Sequence, residues 1–444
     1  MAHWTRRELL RQAVLAAGAA ATGSRPKADG AAPRGDGSRL YLGFLGVGGQ
    51  GYDNLRAMAA EHVAALCDVD RNHLDRAAAE FPKARKYADL RRLLDREKGL
   101  DGVVISTPDH VHAVATLMAL KRGLHVFCEK PLTHSVHEAR LVTETALRHK
   151  AVTQMGTNAQ GLDSFLSTVE LIQAGAIGEV SEVHVWTNRP IWPQGQPRPA
   201  GEDPVPAHLD GDLWIGPAPL RPYKATYPAG RFEGQTVYQP FAWRGWWDFG
   251  TGALGDIAPH AMSVVFQALS LGAPTRVEPE SSGMARDGFP EWSTIRFHFP
   301  ARGPMPPVVL TWYDGGKRPK AELVDGQRLP DNGAIFVGRK GRLLHRDPRP
   351  VLFPVRSFAD YAWPAPTLPR RPEVRQDWLE AIKTGRQPGC PFGYAGPMTE
   401  AYLLGNVALR VGRKIEWDRA KLQVTNCLEA NQYLKREYRP GWTL

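Results

Sequence analysis

Residues 41–51, Tyr41 to Gly51, read YLGFLGVGGQG, a short apolar run that ends in a cluster of glycines. The stretch after it has the composition of a helix, so the order is strand, tight turn, helix. Gly46, Gly48 and Gly51 then stand where a dinucleotide site needs glycine. The first permits the turn, the second lets backbone approach a pyrophosphate, and the third lets helix and strand pack closely. Gly49 and Gln50 complete the turn, and unpaired amides at the start of a helix suit phosphate charge. A glycine turn alone is a modest signal, and the chain around it decides the reading.

Downstream, apolar strands at His62–Cys67, Gly102–Ser106, His125–Cys128 and Val152–Met155 alternate with helical stretches near Asn54–Ala60, Leu90–Leu94, Ala113–Lys121 and Val136–His149. Such alternation predicts an α/β fold, a Rossmann-type doubly wound parallel sheet with ligand at the carboxyl ends of its strands. Asp68 closes the second strand, 17 residues beyond Gly51. An acid there accepts hydrogen bonds from the adenosine ribose and favours NAD over NADP, a preference that Arg71 weakens. Thr107–His112 and Glu129–Pro131 also follow strand ends, and this agreement outweighs any single motif.

The composition changes after Gly156. A helix at Leu162–Gly175 and a strand at Val180–Trp186 precede a long proline-rich stretch from Asn188 to Tyr238, whose aromatics mark a packed binding surface. A helix starts near Leu254 and runs through Gln267. Thr275–Pro279, Glu291–Phe299 and Val308–Tyr313, with a hairpin of Ala334–Val337 and Gly341–His345, predict a C-terminal α/β domain with an open, mostly antiparallel sheet. Val374–Thr384 and Pro397–Val411 read as helices. The expected division is leader and linker over 1–38, a dinucleotide domain over 39–156, and a substrate and oligomerisation domain over 157–444. Its last segments are expected to pack back on the first domain. An open sheet favours a homo-oligomer, a dimer or tetramer.

Three residues carry the chemistry. Lys130 stands between Glu129 and Pro131 just past a strand end, where its ammonium can hydrogen-bond a reacting hydroxyl. Asp256 and His260 are four apart and share one helix face. Between them they can hold a hydroxyl, with His260 taking its proton as a carbon-bound hydride leaves. His110 and His112 read as local structural histidines, and no His or Cys spacing makes a metal signature. Asn188, Trp192, Tyr238, Arg244, Trp246 and Asp248 are the candidates for a sugar surface. Aromatic faces would stack on pyranose C–H groups while Arg244 and Asp248 bind hydroxyls.

Four motifs in order, Gly46-x-Gly48-x-x-Gly51, Ser106-Thr107-Pro108-x-His110-x-His112, Glu129-Lys130-Pro131 and Gly255-Asp256-x-x-x-His260, resemble the glucose–fructose oxidoreductase, inositol dehydrogenase and rhizopine-catabolism (Gfo/Idh/MocA) family. The resemblance covers nearly everything from residue 40 onward. It implies an NAD(P)-dependent oxidoreductase with Lys130, Asp256 and His260 as the catalytic lysine, aspartate and histidine. It also implies that Thr107, Pro108, His110, Glu129 and Lys130 lie along the dinucleotide and Asn158 near its nicotinamide end. The Asp256-x-x-x-His260 pattern is closer to the sugar and polyol dehydrogenases than to the glycosidase branch of similar proteins.

The first 23 residues differ from the rest. Arg6-Arg7 precedes a weakly apolar run, Ala13–Gly23, then a polar linker. This predicts a twin-arginine signal and a periplasmic or otherwise exported protein. The run is too short to span a membrane stably. The net charge of +10 is scattered, without the basic run and aromatic platforms of a nucleic-acid reader. Cys67 and Cys128 read as buried thiols, while Cys390 and Cys427 could pair in an oxidising compartment. Outside the cytoplasm no free NAD pool reoxidises a released cofactor, so a tightly bound dinucleotide is expected. Two alternatives stand beside hydride exchange on a sugar, polyol or glycoside. One is glycoside cleavage by transient C3 oxidation, elimination, hydration and re-reduction, and the other is a non-catalytic carbohydrate-binding protein on the same fold.

Overall fold

A computed structural model describes residues 39–444, so the signal and linker read in 1–38 lie outside the described residues. Strands β1 (Tyr41–Leu45), β2 (His62–Cys67), β3 (Arg85–Tyr87), β4 (Gly102–Ile105), β5 (His125–Glu129) and β6 (Thr153–Gly156) form one sheet. Its order is β3-β2-β1-β4-β5-β6, and every neighbouring pair is parallel. The direction of winding reverses between β1 and β4, which puts the crevice for a ligand directly at the glycine turn.

Helices α1 (Gln50–Ala57), α2 (Arg71–Glu80), α3 (Leu90–Arg96), α4 (Asp109–Leu120) and α5 (Val136–Arg148) connect these strands. Side chains of the central strands alternate between two cores, which is why these strands read as unbroken apolar runs. Leu42, Phe44, Val104 and Phe127 enter one core with Trp378, while Leu45, Val103, Ile105, Val126 and Cys128 enter the other. α2 and β3 have no counterpart among the elements expected from the sequence. RKY is too short and polar to show a period, and the buried face of RNHLDRAAAE is small, Leu74 and Ala77 with Ala78 beside them; the Asp70 carboxylate caps α2 by accepting from the Asn72 amide at 2.8 Å.

Beyond β6 come α6 (Asp163–Gln173), β7 (Val180–Trp186), α7 (Gly211–Ile215), α8 (Gly252–Ala261), α9 (Ser263–Leu269), β8 (Arg276–Ser281), β9 (Ser293–Phe299), β10 (Val308–Tyr313), β11 (Gly333–Gly338), β12 (Arg342–His345), β13 (Val351–Phe353), α10 (Val374–Thr384), α11 (Phe392–Val411), β14 (Ile415–Asp418) and β15 (Gln423–Val424). The second sheet has the order β13-β12-β11-β7-β10-β9-β8-β14-β15, antiparallel apart from the β7–β10 pair. The single helix expected over Leu254–Gln267 is two, α8 and α9, meeting at Met262. α10 lies on the first sheet, where the Trp378 indole is fully buried and donates to the Val152 carbonyl at 3.2 Å. All four cysteines are buried free thiols, so the pairing considered for Cys390 and Cys427 does not form. No described helix is long and apolar enough to cross a membrane.

Candidate active site

The glycine turn is built for close approach. Gly46 has φ +82°, and a Cβ there would meet the Ser106 carbonyl oxygen at 2.6 Å. A Cβ on Gly51 would stand 2.1 Å from the Gly46 carbonyl oxygen, so the third glycine seats α1 on the turn. Gly49, at φ +46°, faces open space. Among the described residues, the amides of Gly48, Gly49 and Gln50 make no hydrogen bond within the chain, whereas the Val47 amide donates to Asp68 Oδ2 at 2.8 Å. A void beside a helix start with idle amides is what a pyrophosphate fills. The buried Thr107 hydroxyl, also without a partner, adds a polar group on the same wall. The residues present therefore fit a dinucleotide.

A cavity of about 1000 Å³ runs from this turn to α8. Gly46, Gly48, Gly49, Gln50, Asp68, Thr107, Pro108, Glu129 and Lys130 all line it, as do Asp256 and His260. Burial raises the Glu129 pKa, partly offset by Asn54, whose amide donates to Glu129 Oε1 at 2.9 Å. The side chain of Asn158 lies outside the described residues.

Residues far apart in sequence converge at α8. Lys130 Nζ donates to Asp256 Oδ1 at 2.7 Å, and Arg244 Nε donates to the same oxygen at 3.0 Å. Burial works to raise the Asp256 pKa, but the two cations outweigh it and hold it at about 2. His260 is brought down to about 3 by burial and by the Lys130 charge, against the pull of Asp256. It is therefore a neutral imidazole at physiological pH. Its Nδ1 lies 3.2 Å from the Thr157 hydroxyl, which leaves Nε2 as the nitrogen available to a ligand.

Several sequence assignments need correction. His110 is buried away from the cavity, its ring nitrogens against the carbonyls of Phe249 (3.2 Å) and Trp214 (3.0 Å), with its pKa lowered by burial to about 3. It joins α4 to the loops that follow, as a structural histidine does. Trp192, Tyr238 and Trp246 are buried, and Asp248 pairs with Arg221. Tyr238 and Trp246 pack in an aromatic cluster with Trp214 and Phe249, because large flat side chains in a strandless segment must supply its core. Asn188 lies outside the cavity lining, while its neighbour Arg189 is inside it. Of the six sugar candidates, Arg244 alone lines the cavity, and it is committed to Asp256 and stacked against Phe241 and Trp243 at 4.1 and 4.3 Å. No group of His, Cys, Asp or Glu among the described residues could hold a metal ion.

Sequence reasoning missed Thr157, Arg189, Leu213, Asn332, His345, Arg346 and Trp442, all but Thr157 lining the cavity, while Trp214, one of the aromatics read as a binding surface, does line it. Thr157 directly follows β6, so the strand-end rule applied once more would have found it. The others are brought to the cavity by α7, by strand ends of the second sheet and by the chain end, which no local pattern encodes.

Residues 40–157 match the model described as "Oxidoreductase family, NAD-binding Rossmann fold", and residues 179–444 match "Oxidoreductase family, C-terminal alpha/beta domain". The inositol 2-dehydrogenase of Gluconacetobacter diazotrophicus is 28% identical over 182 residues, 40% of this chain and 54% of that protein. A glycosyl hydrolase family 109 protein of Shewanella putrefaciens is 31% identical over 153 residues, 32% of this chain and 33% of that protein. The chain thus spans about half or less of the curated relatives it matches. Among solved structures, the WlbA dehydrogenase of Bordetella pertussis in complex with NADH and UDP-GlcNAcA has a TM-score of 0.57 at 17% identity, covering 86% of this chain and 99% of that one. The aldose-aldose oxidoreductase of Caulobacter crescentus, complexed with glycerol, gives 0.55 at 17%, covering 85% and 100%. The parallel sheet, the glycine turn and both family matches agree: the chain belongs to the Gfo/Idh/MocA oxidoreductase family.

Proposed function

We propose that this protein is an exported NAD(P)-dependent oxidoreductase acting on a sugar, polyol or glycoside hydroxyl. The observation that carries the reading is the Lys130–Asp256 contact of 2.7 Å, in one cavity with His260 and the glycine turn. A nicotinamide held in this cavity would supply the acceptor for a carbon-bound hydride. Lys130 donates a hydrogen bond to the reacting oxygen, and its charge stabilises the alkoxide character that develops there. His260 Nε2, unprotonated before the reaction, takes the hydroxyl proton; burial and the Lys130 charge weaken it as a base, and the Asp256 carboxylate favours its protonated form. Asp256 keeps Lys130 aimed, and Arg244 keeps Asp256 anionic and still.

Gly46, Gly48, Gly49, Gln50, Thr107, Pro108 and Glu129 would hold the dinucleotide, with Asp68 at its ribose and Gly51 supporting the turn. Residues 39–156 would carry the cofactor and 157–444 the substrate. Tight retention is supported by Leu213, Trp214 and Trp442, which wall the same cavity from outside the first sheet. Export is supported by Arg6-Arg7 and the apolar run that follows. Self-association is assigned to the outer face of the second sheet, which carries Glu182, Arg296 and Tyr313.

The test is to purify the protein without added cofactor and follow absorbance near 340 nm on adding sugars. One equivalent of reduction that stalls until a second sugar is supplied supports the reading. Protein that carries no dinucleotide and binds none would sink it. The similarity to a glycosyl hydrolase family 109 protein keeps the cleavage reaction in view. Continued nitrophenol release from nitrophenyl glycosides would favour that route instead.

A further inference from the structure

Three neighbouring strand ends build one end of the cavity. β7 ends at Trp186, which pairs with Gly333 at the start of β11, and Ala334 pairs with His345 at the end of β12. Neighbouring strands lie about 4.8 Å apart, so the ends of β7 and β12 stand about 10 Å apart with β11 between them. Arg189, Asn332, His345, Arg346 and Asp347 all reach the cavity from these ends.

Their hydrogen bonds leave a defined set of free groups. Asn332 Oδ1 accepts from the Thr187 hydroxyl at 2.7 Å and the Asn188 amide at 3.2 Å, so its NH₂ remains as a donor. The Thr168 hydroxyl spends its proton on the Ser164 carbonyl at 2.8 Å, so it accepts from His345 Nδ1 at 2.9 Å. His345, with its pKa lowered to about 4 by burial, is neutral and keeps Nε2 as an acceptor. The Arg189 backbone is pinned by the Thr187 hydroxyl at 3.2 Å and the Gly315 amide at 2.8 Å, and its guanidinium donates to the Asn188 side chain. Among the described residues, neither Arg189 nor Arg346 is paired with a carboxylate. Asp347, the one acid among the described residues of this rim, accepts from the Ser164 hydroxyl. Two guanidinium groups and one carboxylate leave this end with one positive charge in excess.

Resting on the oxidoreductase reading above, we propose that this rim is a carboxylate subsite and that the substrate is a sugar acid, a hexuronate or aldonate. A guanidinium fork binds a carboxylate in plane through two hydrogen bonds, and the Asn332 amide adds a third donor. The excess of one charge matches a monoanion better than a phosphate dianion. His345 Nε2 would accept from an adjacent sugar hydroxyl.

The test uses the protein with its dinucleotide. Binding of glucuronate, gluconate, glucose and glucose 6-phosphate is measured by calorimetry, and reduction at 340 nm is followed separately. Tighter binding of glucuronate or gluconate than of glucose, by about 10- to 100-fold, is expected. Arg346→Ala and Arg189→Ala are each expected to narrow that ratio about tenfold, and Arg346→Lys to restore part of it. Equal binding of acid and neutral sugar, preference for the phosphate, or an unchanged ratio in both alanine variants overturns the subsite. Absence of binding by either acid up to about 10 mM does the same. Arg346 is exposed and has no hydrogen-bond or ion-pair partner among the described residues, so its variants should fold. Acid binding without reduction would keep the subsite and refute the redox reading, while reduction by neutral sugars alone would do the reverse.

Discussion

Lys130 and Arg244 both reach one oxygen of Asp256, and this shared anion sets the behaviour of the site at the level of single residues. A carboxylate this deeply buried is tolerable only because two cations attend it. Asp256→Asn leaves those cations facing each other and should destabilise the fold by about 3 kcal/mol, read by denaturant unfolding; an unchanged midpoint would show that the charges are compensated elsewhere. Lys130→Ala should lower turnover by at least about 100-fold while dinucleotide binding, followed by fluorescence, stays near that of the parent. Normal turnover would remove Lys130 from the mechanism. Thr157→Val frees His260 to change tautomer. A drop of about tenfold in kcat with little change in KM is expected, whereas Thr157→Ser should retain most activity.

At the scale of elements, the glycine turn and α8 each depend on close approach. Gly51 leaves no space for a side-chain carbon between α1 and the Gly46 carbonyl. Gly51→Ala should therefore cost about 1–3 kcal/mol of stability and release the dinucleotide during gel filtration. Retention of full cofactor content would refute the seating role given to this residue. α8 begins at Gly252, is bounded by Met262, and carries Asp256 and His260 one turn apart. Its first turn is tied to α4, because the Thr251 hydroxyl donates to the buried Asp109 carboxylate at 2.7 Å. The two elements that flank the reaction are thus held by one contact outside the reacting trio.

Over the whole molecule, buried histidines dominate the response to acid. Burial first, with lesser contributions from neighbours, holds His110 and His260 at about 3 and His112 and His345 at about 4. An unfolded histidine takes up its proton near about 6.5. Between those values the unfolded chain binds protons that the fold refuses, so stability falls as pH drops below about 6.5. Asp109 and Asp314, raised by burial to about 7 and about 6, act with the opposite sign, as does His73, raised beside Asp68. The four histidines outweigh these, so the unfolding midpoint should be lower at pH 5 than at pH 7. A midpoint that rises on acidification would mean the carboxylates prevail. Export is tested on the intact chain by Arg6→Lys with Arg7→Lys, which should keep the protein in the cytoplasmic fraction.

The first sheet was legible in the sequence because its strands are buried on both faces, and burial writes itself as uninterrupted apolar runs between glycine turns. The same rule found Asp68, Thr107, Glu129 and Lys130 at strand ends, and helical spacing found Asp256 with His260. Elements such as α2, β3 and β13 to β15 were not legible, being too polar or too short to show a period. The substrate end was legible least. Whether an aromatic such as Trp246 packs or binds depends on how its loop folds back on itself, and Trp246 is enclosed by Leu209, Val237, Tyr238 and Phe249 of the same strandless segment. Folding turned Tyr238 and Trp246 inward, gave Arg244 to Asp256, and brought Arg189, Asn332 and Arg346 to one rim through strand pairing. Local patterns carry the periodicity of a chain, but a binding surface is made of neighbours in space, and only tertiary contacts choose those.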